Sequence, residues 1–292
     1  MQLTKPIWQW TETELRDGSL ISASCEDCHG TRIRTGEERQ WDGERYVVMT
    51  VEEDCPCADL ARRFFREAGF PLRYCGLTLA DLEWAEMEPL GLAASLQNYA
   101  VHLREYLAEG IGLVLHGPVG TGKTHVAVGV GKAACAFGVQ PVFLTIADFL
   151  DEMRRTYDPS AQRHTPHRSP RRDADVLAEW ADVALLILDD LGHQNITPWA
   201  MEKLYELINR RYLNQSPTIV TTNHAPERLA FKLNGNGDRD SDGPRVGESI
   251  VSRLCGDAVV LEFEGRDYRE KLKRQRLKTV QATFGETGMR RA

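Results

Sequence analysis

The chain has 292 residues, 42% of them hydrophobic and 27% charged, a balance that suits one sizeable core with a smaller module beside it. A formal net charge of −7 argues against a surface that binds nucleic acid everywhere, and leaves room for a contact confined to one basic patch. The longest apolar runs, Ile111–Leu115 and Val183–Leu188, are too short to cross a bilayer, and MQLTKPIWQWTETE lacks the apolar stretch of a secretory signal; a cytoplasmic protein is expected.

Residues 1–75 hold five of the seven cysteines. Cys25 and Cys28 form C-x2-C, Cys55 and Cys57 form C-x-C, and 26 residues separate the pairs. Four thiolates at such spacing suit tetrahedral Zn²⁺ in a ribbon-like module, and metal affinity would supply most of so small a fold. The second pair is tight, so Cys75 or His29 could replace one ligand; uncoordinated thiols and an iron–sulfur centre are the alternatives. Cys135 and Cys255 stand alone in apolar helical context and read as small buried hydrophobes. Tyr46–Val51 has strand character. Ala58–Ala68 reads as a helix with Leu60, Ala61, Phe64, Phe65 and Ala68 on one face, ended by Gly69 and Pro71.

Residues 76–110 read as a helical linker. Leu92, Leu96, Tyr99, Leu103 and Leu107 recur at helical spacing and predict one helix over Leu92–Ala108. From Ile111 to residue 292 apolar strands alternate with helices. The strands are expected at Ile111–His116, Pro141–Ile146, Val183–Asp189, Pro217–Thr222 and Ala258–Phe263, a five-stranded parallel sheet of α/β class. Thr197-Pro198 marks a helix start. Thr156–Arg172 and Asn234–Gly247 are polar loops, and Arg269–Lys278 reads as a solvated basic helix.

Gly117-Pro118-Val119-Gly120-Thr121-Gly122-Lys123-Thr124 fits G-x-x-x-x-G-K-[ST] between a strand and a helix. Its glycines let backbone N–H groups close around phosphate oxygens, and the helix adds its positive dipole end. Lys123 would reach the β- and γ-phosphates of ATP, the Thr124 hydroxyl would coordinate Mg²⁺, and His125 completes the expected nucleotide-binding set. Downstream, the apolar strand LLILDD ends in two carboxylates. Asp189 is expected to hold the Mg²⁺ shell and Asp190 to position or deprotonate the attacking water. Asn223, ending PTIVTTN, would orient that water. A full strand–helix unit, Pro141–Tyr157, lies between the first two motifs, enough chain for an extra strand between them in the sheet.

The motifs LHGPVGTGKTH, LLILDDLG, TPWAMEKLYELINRRY, TIVTTN, SRL (252–254) and GRDYR (265–269), with the linker AGFPLRYCGLTLADLE, carry a resemblance to the AAA+ helicase loaders of the DnaC and DnaI group and their IstB relatives. The resemblance spans about residues 70–270. It implies an AAA+ ATPase that assembles into a ring or spiral, with Arg253 as an arginine finger reaching a neighbouring subunit's ATP and Arg210 or Arg211 next in order. Only 29 residues follow Phe263, and the subgroup it resembles has no C-terminal helical lid. Loaders of this kind carry an N-terminal zinc module that contacts a DnaB-type replicative helicase, whereas IstB proteins have a helical DNA-binding N-terminus. In such proteins an inserted helical element lines the ring channel, which makes Arg154, Arg155, Arg168, Arg171 and Arg172 the expected single-stranded DNA contact. A helicase loader is therefore the leading expectation, a transposition helper its rival, and a nucleotide-gated scaffold with little hydrolysis a third possibility.

Overall fold

An antiparallel ribbon near the start and a five-stranded parallel sheet hold all the strands of the computed structural model, which describes residues 5–17, 25, 33–41, 45–156, 172–193, 197–234, 246–270 and 273. Helix α1 (Glu12–Arg16) opens on a capping box, Thr11 and Glu14 satisfying each other's backbone N–H groups. The ribbon pairs β1 (Ile33–Trp41) with β2 (Tyr46–Asp54), and α2 (Cys57–Glu67) follows. The helix expected over Leu92–Ala108 is two, α3 (Leu92–Val101) and α4 (Leu103–Ala108), broken where His102 leaves helical geometry. Its five spaced residues are nonetheless all buried, and Tyr99 stacks on Tyr106 across the break at 5.1 Å.

Next come β3 (Gly112–His116), α5 (Lys123–Ala136), β4 (Pro141–Thr145), α6 (Ile146–Arg155), α7 (Asp173–Ala181), β5 (Leu185–Leu191), α8 (Pro198–Leu213), β6 (Thr218–Thr222), α9 (Pro226–Leu233), α10 (Val246–Gly256) and β7 (Ala258–Glu262). The sheet order is β4-β5-β6-β3-β7, every neighbour parallel. An extra strand does separate β3 from β5, but it is β6; the intervening unit Pro141–Tyr157 sends its strand to the outer edge instead. The five-stranded parallel sheet expected from the motif resemblance is thus present.

The period-two alternation of side chains divides each apolar run between two cores. Leu113, Leu115, Leu185, Ile187 and Ile219 pack with α3, α4 and α5. Val114, Leu186, Leu188 and Val220 pack with α6 to α10 on the opposite face. Helix α5 is buried almost all round.

Ile7, Trp10 and Leu15, expected with the cysteine module, join the first of these cores. A buried lysine explains the docking. The Lys132 ammonium on α5, 2% exposed, pairs with the Glu12 carboxylate and donates to the carbonyls of Tyr74 (2.8 Å) and Leu77 (2.9 Å). An unpaired ammonium there would be costly, so the N-terminal segment is part of what lets α5 bury it.

No helical bundle follows β7 among the described residues. The chain instead runs back over the phosphate loop, where the Tyr268 N–H donates to the Gly120 carbonyl at 2.9 Å. No helix among the described residues is long and apolar enough to cross a membrane.

Candidate functional site

The turn from β3 to α5 rests on glycines at positive φ: Gly117 at 136°, Gly120 at 81° and Gly122 at 100°. At two of these an added Cβ would also meet a neighbour, fixed backbone at Gly117 and a displaceable carboxylate at Gly120. A Cβ on Gly117 would lie 2.0 Å from the Phe263 carbonyl oxygen, and one on Gly120 would lie 1.8 Å from Asp267 Oδ1. Pro118 and Val119 are exposed at the tip. Lys123 points back into the loop, its ammonium donating to the carbonyls of Gly117 (2.8 Å) and Pro118 (2.5 Å). Burial pushes its pKa down to about 8, against the attraction of Asp190 and Asp189. Phosphates entering the loop would offer the same ammonium stronger, charged acceptors.

At the adjoining strand ends, side chains far apart in sequence form one hydrogen-bonded chain. Thr124 Oγ1 donates to Asp189 Oδ1 at 2.8 Å, and the Thr221 hydroxyl donates to the same oxygen at 2.6 Å. Burial raises the Asp189 pKa, and these two hydrogen bonds oppose it. A hydroxyl beside a half-buried carboxylate is a hard oxygen pair that fits Mg²⁺, whose charge would favour the ionised carboxylate. Both carboxylates lie within β5 rather than ending it, because the pairing with β6 shifts register between Leu188 and Leu191. Asp190 takes φ 60°, its N–H donating to Thr221 Oγ1 at 2.9 Å, and Asn223 Nδ2 donates to Asp190 Oδ1 at 3.0 Å. The bulge thus turns consecutive carboxylates to different tasks. Thr221 escaped the sequence reading. Its signal was a hydroxyl 2% exposed at the end of an apolar strand, where a partner is obligatory.

Beside the loop lies a cleft of about 990 Å³ between Thr121, Gly122 and His125, the linker at 81–92, and the returning segment at 263–270. His125 Nε2 lies 2.8 Å from the Thr78 carbonyl oxygen, which anchors this wall to the linker, and burial pushes the imidazole pKa down.

Residues 35–276 match the model of the IstB-like ATP binding protein family. The chain belongs to that family. Over 166 residues, 57% of this chain, it is 31% identical to an insertion-sequence ATP-binding protein of Mycobacterium tuberculosis and 29% identical to the ATP-binding protein of insertion sequence IS232 of Bacillus thuringiensis. The matches span about three-fifths of those relatives' own length, 59% and 58%. The replicative helicase loader DnaC of Escherichia coli K12 is 23% identical over 239 residues, covering 81% of this chain and 91% of the loader. Among solved structures, that of the DnaC helicase loader aligns with 66% of this chain and all of its own, at TM-score 0.48 and 24% identity.

In this IstB-like protein Arg253 lies far from the phosphate loop of its own chain. It sits near the end of α10, beside Gly110 and Asp257, where β3 and β7 begin, whereas the phosphate loop follows the end of β3. The length of β3 alone, five residues or roughly 16 Å, separates the two ends. Its guanidinium donates to Asn209 Oδ1 at 2.9 Å and lies over the rings of Tyr205 (5.1 Å) and Tyr212 (5.7 Å). Arg211 has a different occupation. It is 1% exposed and donates to the carbonyls of Trp180, Ala181, Val183 and Pro217, which binds α8 to its neighbours and removes it from the finger candidates.

Cys25, Cys55 and Cys57 of the family member come together with their ligand atoms within 4.8 Å of one another. The Cys25 and Cys55 sulfurs are 3.7 Å apart, and thiolates about 2.3 Å from a tetrahedral zinc lie about 3.8 Å apart. Cys75 is exposed and outside this group, while Cys28 and His29 lie outside the described residues. Of the basic set, Arg154, Arg155 and Arg172 each pair with an acid three residues away, Asp151, Glu152 and Asp175, on exposed surface. Such pairs are weak and leave the cations available to phosphate. Arg168 and Arg171 lie outside the described residues.

Proposed function

We propose that this protein is an ATP-dependent loader of a DnaB-type replicative helicase onto single-stranded DNA, hydrolysing ATP at interfaces between its subunits. The observation that supports the reading is the reach of the DnaC similarity, 81% of this chain and 91% of the loader, against 79% of this chain and 70% of its own length for an insertion-sequence ATP-binding relative of Sinorhizobium fredii. Within a subunit, Lys123 and the loop amides would hold the phosphates. Thr124 and Asp189 would hold Mg²⁺, which supplies Lewis-acid neutralisation of phosphate charge when bound. Asp190 and Asn223 would orient the attacking water. Arg253 would complete a neighbour's site. The cysteine cluster, with Cys28 as fourth ligand, would hold Zn²⁺ and present the ribbon to the helicase. Arg154, Arg155, Arg168, Arg171 and Arg172 would meet DNA phosphates.

A second reading has its own support. The insertion-sequence relatives reach the higher identity, 31% and 29% against 23%, which favours a transposition helper. The deciding experiment places purified protein with a DnaB-type helicase and single-stranded DNA coated with its binding protein, then measures unwinding of a fork. Unwinding that requires ATP and this protein supports loading. Absence of any helicase complex, with ATP-dependent recruitment of a transposase to target DNA, would replace the first reading by the second. In a binding titration with bare single-stranded DNA at several salt concentrations, alanine at the five arginines should lower DNA affinity and flatten its dependence on salt.

A further inference from the structure

Helix α8 carries three residues that the nucleotide chemistry above leaves unused. Tyr205, Asn209 and Tyr212 stand at i, i+4 and i+7 and so share one face of that helix. Helices α8 and α10 meet in the second core, and there the three residues receive Arg253. Its Nε donates to Asn209 Oδ1 at 2.9 Å, its Nη1 to the Ser249 carbonyl one turn back on α10 at 3.0 Å, and its Nη2 to the Tyr205 hydroxyl at 3.4 Å. The Tyr205 and Tyr212 rings lie 5.1 and 5.7 Å from the guanidinium carbon, within cation–π reach.

Arg211 shows what an arginine spent on the fold looks like in this region. It is 1% exposed, and its guanidinium meets Thr218 Oγ1 and the carbonyls of Trp180, Ala181, Val183 and Pro217. Arg253 is partly exposed, and only three of its five N–H groups have an acceptor among the described residues. All three acceptors are neutral. No carboxylate among the described residues pairs with it, and Glu206 on α8 is taken by Arg210 at 2.6 Å and Lys203 at 3.6 Å. The holder thus fixes a direction without compensating the charge. A phosphoryl oxygen would meet the remaining donors through charge-assisted bonds, roughly twice as strong as neutral ones.

We infer that Asn209 and Tyr205, with the Tyr212 ring, are positioning residues for Arg253: they fix its guanidinium while leaving its charge and two of its donors for the phosphate of a neighbouring subunit's ATP. The inference rests on the reading of Arg253 as a finger supplied in trans. A free arginine loses much rotamer freedom when it is immobilised; one held in advance loses little more on meeting the phosphate.

The test measures ATP affinity, melting temperature and turnover of the full-length protein, alone and in mixtures. Asn209→Ala should lower turnover about ten-fold, the order expected for one hydrogen bond to a charged group, at unchanged ATP affinity. Asn209→Asp sets a carboxylate against the guanidinium. It should keep the melting temperature and lower turnover further, toward the level of Arg253→Ala, because the phosphate must then compete with an anion. Mixing tells which side of the interface is damaged. Asn209→Asp should regain turnover with Asp190→Asn, whose Asn209 and Arg253 are intact, and regain none with Arg253→Ala. Wild-type turnover in both Asn209 variants overturns the inference. So does recovery with Arg253→Ala, or none with Asp190→Asn in oligomers that mix. Loss of ATP affinity together with turnover overturns it as well, since Asn209 would then merely support the fold. The two readings fail separately: wild-type turnover in Arg253→Ala sinks the finger itself, whereas an inactive Arg253→Ala beside fully active Asn209 variants sinks only the holder.

Discussion

Burial holds the Lys123 ammonium at a pKa of about 8, and this gives nucleotide binding a definite dependence on pH. In the free protein the proton is present below about 8 and lost as pH rises through it. Bound phosphates favour the charged form and raise the pKa again. ATP affinity should therefore be full below about 8 and decline above it, where binding takes up a proton. Calorimetric titration in two buffers of different ionisation enthalpy reads that uptake; no uptake above about 8 would contradict the assignment, and Lys123→Ala should abolish tight binding at every pH. Lys123, Thr124, Asp189 and Asn223 were legible in sequence because each sits in a motif whose spacing the chemistry fixes. Thr221 was not, because its part in the site comes from strand register.

At the scale of elements, apolar runs bounded by turn residues located all five strands to within two residues, whereas their order in the sheet was not readable. Strand β4 follows the phosphate loop in sequence yet lies at the far edge, and only the pairing of β6 with both β3 and β5 reveals it. The break at His102 was invisible for another reason: the spacing of apolar residues continues across it. In the ribbon, Cys25, Cys55 and Cys57 converge as the spacing predicts, and the module should contain about one zinc per chain if Cys28 closes the site. Elemental analysis checks this; absence of zinc with freely alkylated thiols would overturn it. Cys25→Ser should release the metal and abolish helicase binding. The nucleotide site should survive that loss, because Ile7, Trp10 and Leu15 anchor to the main core independently of the cysteines.

For the whole molecule, the position of Arg253 at the opposite end of the sheet from its own phosphate loop makes a shared active site testable. Arg253→Ala should keep ATP affinity and lose hydrolysis, since a finger supplied in trans gives about 10³–10⁵-fold in GTPases. Asp190→Asn should also keep affinity, because Thr124 and Asp189 are intact, and lose about 10²–10⁴-fold as a misplaced general base. Mixing the two inactive proteins should restore part of the turnover, since some interfaces pair an intact Asp190 with an intact Arg253. No recovery in oligomers that demonstrably mix would return Arg253 to its tyrosines as a structural residue.

The strand order also governs when, during synthesis, the protein can first bind nucleotide. Strand β3 leaves the ribosome early, yet both strands that flank it, β6 and β7, are translated more than a hundred residues later. Gly117 packs against the Phe263 carbonyl, and the Tyr268 N–H holds the Gly120 carbonyl, so the loop gains its last supports when residue 268 emerges. Pairings of such long sequence separation form slowly and late. A nascent chain carrying the complete phosphate-binding motif therefore has no finished cradle until nearly the whole sheet exists, and ATP cannot act as a template for the early steps of folding.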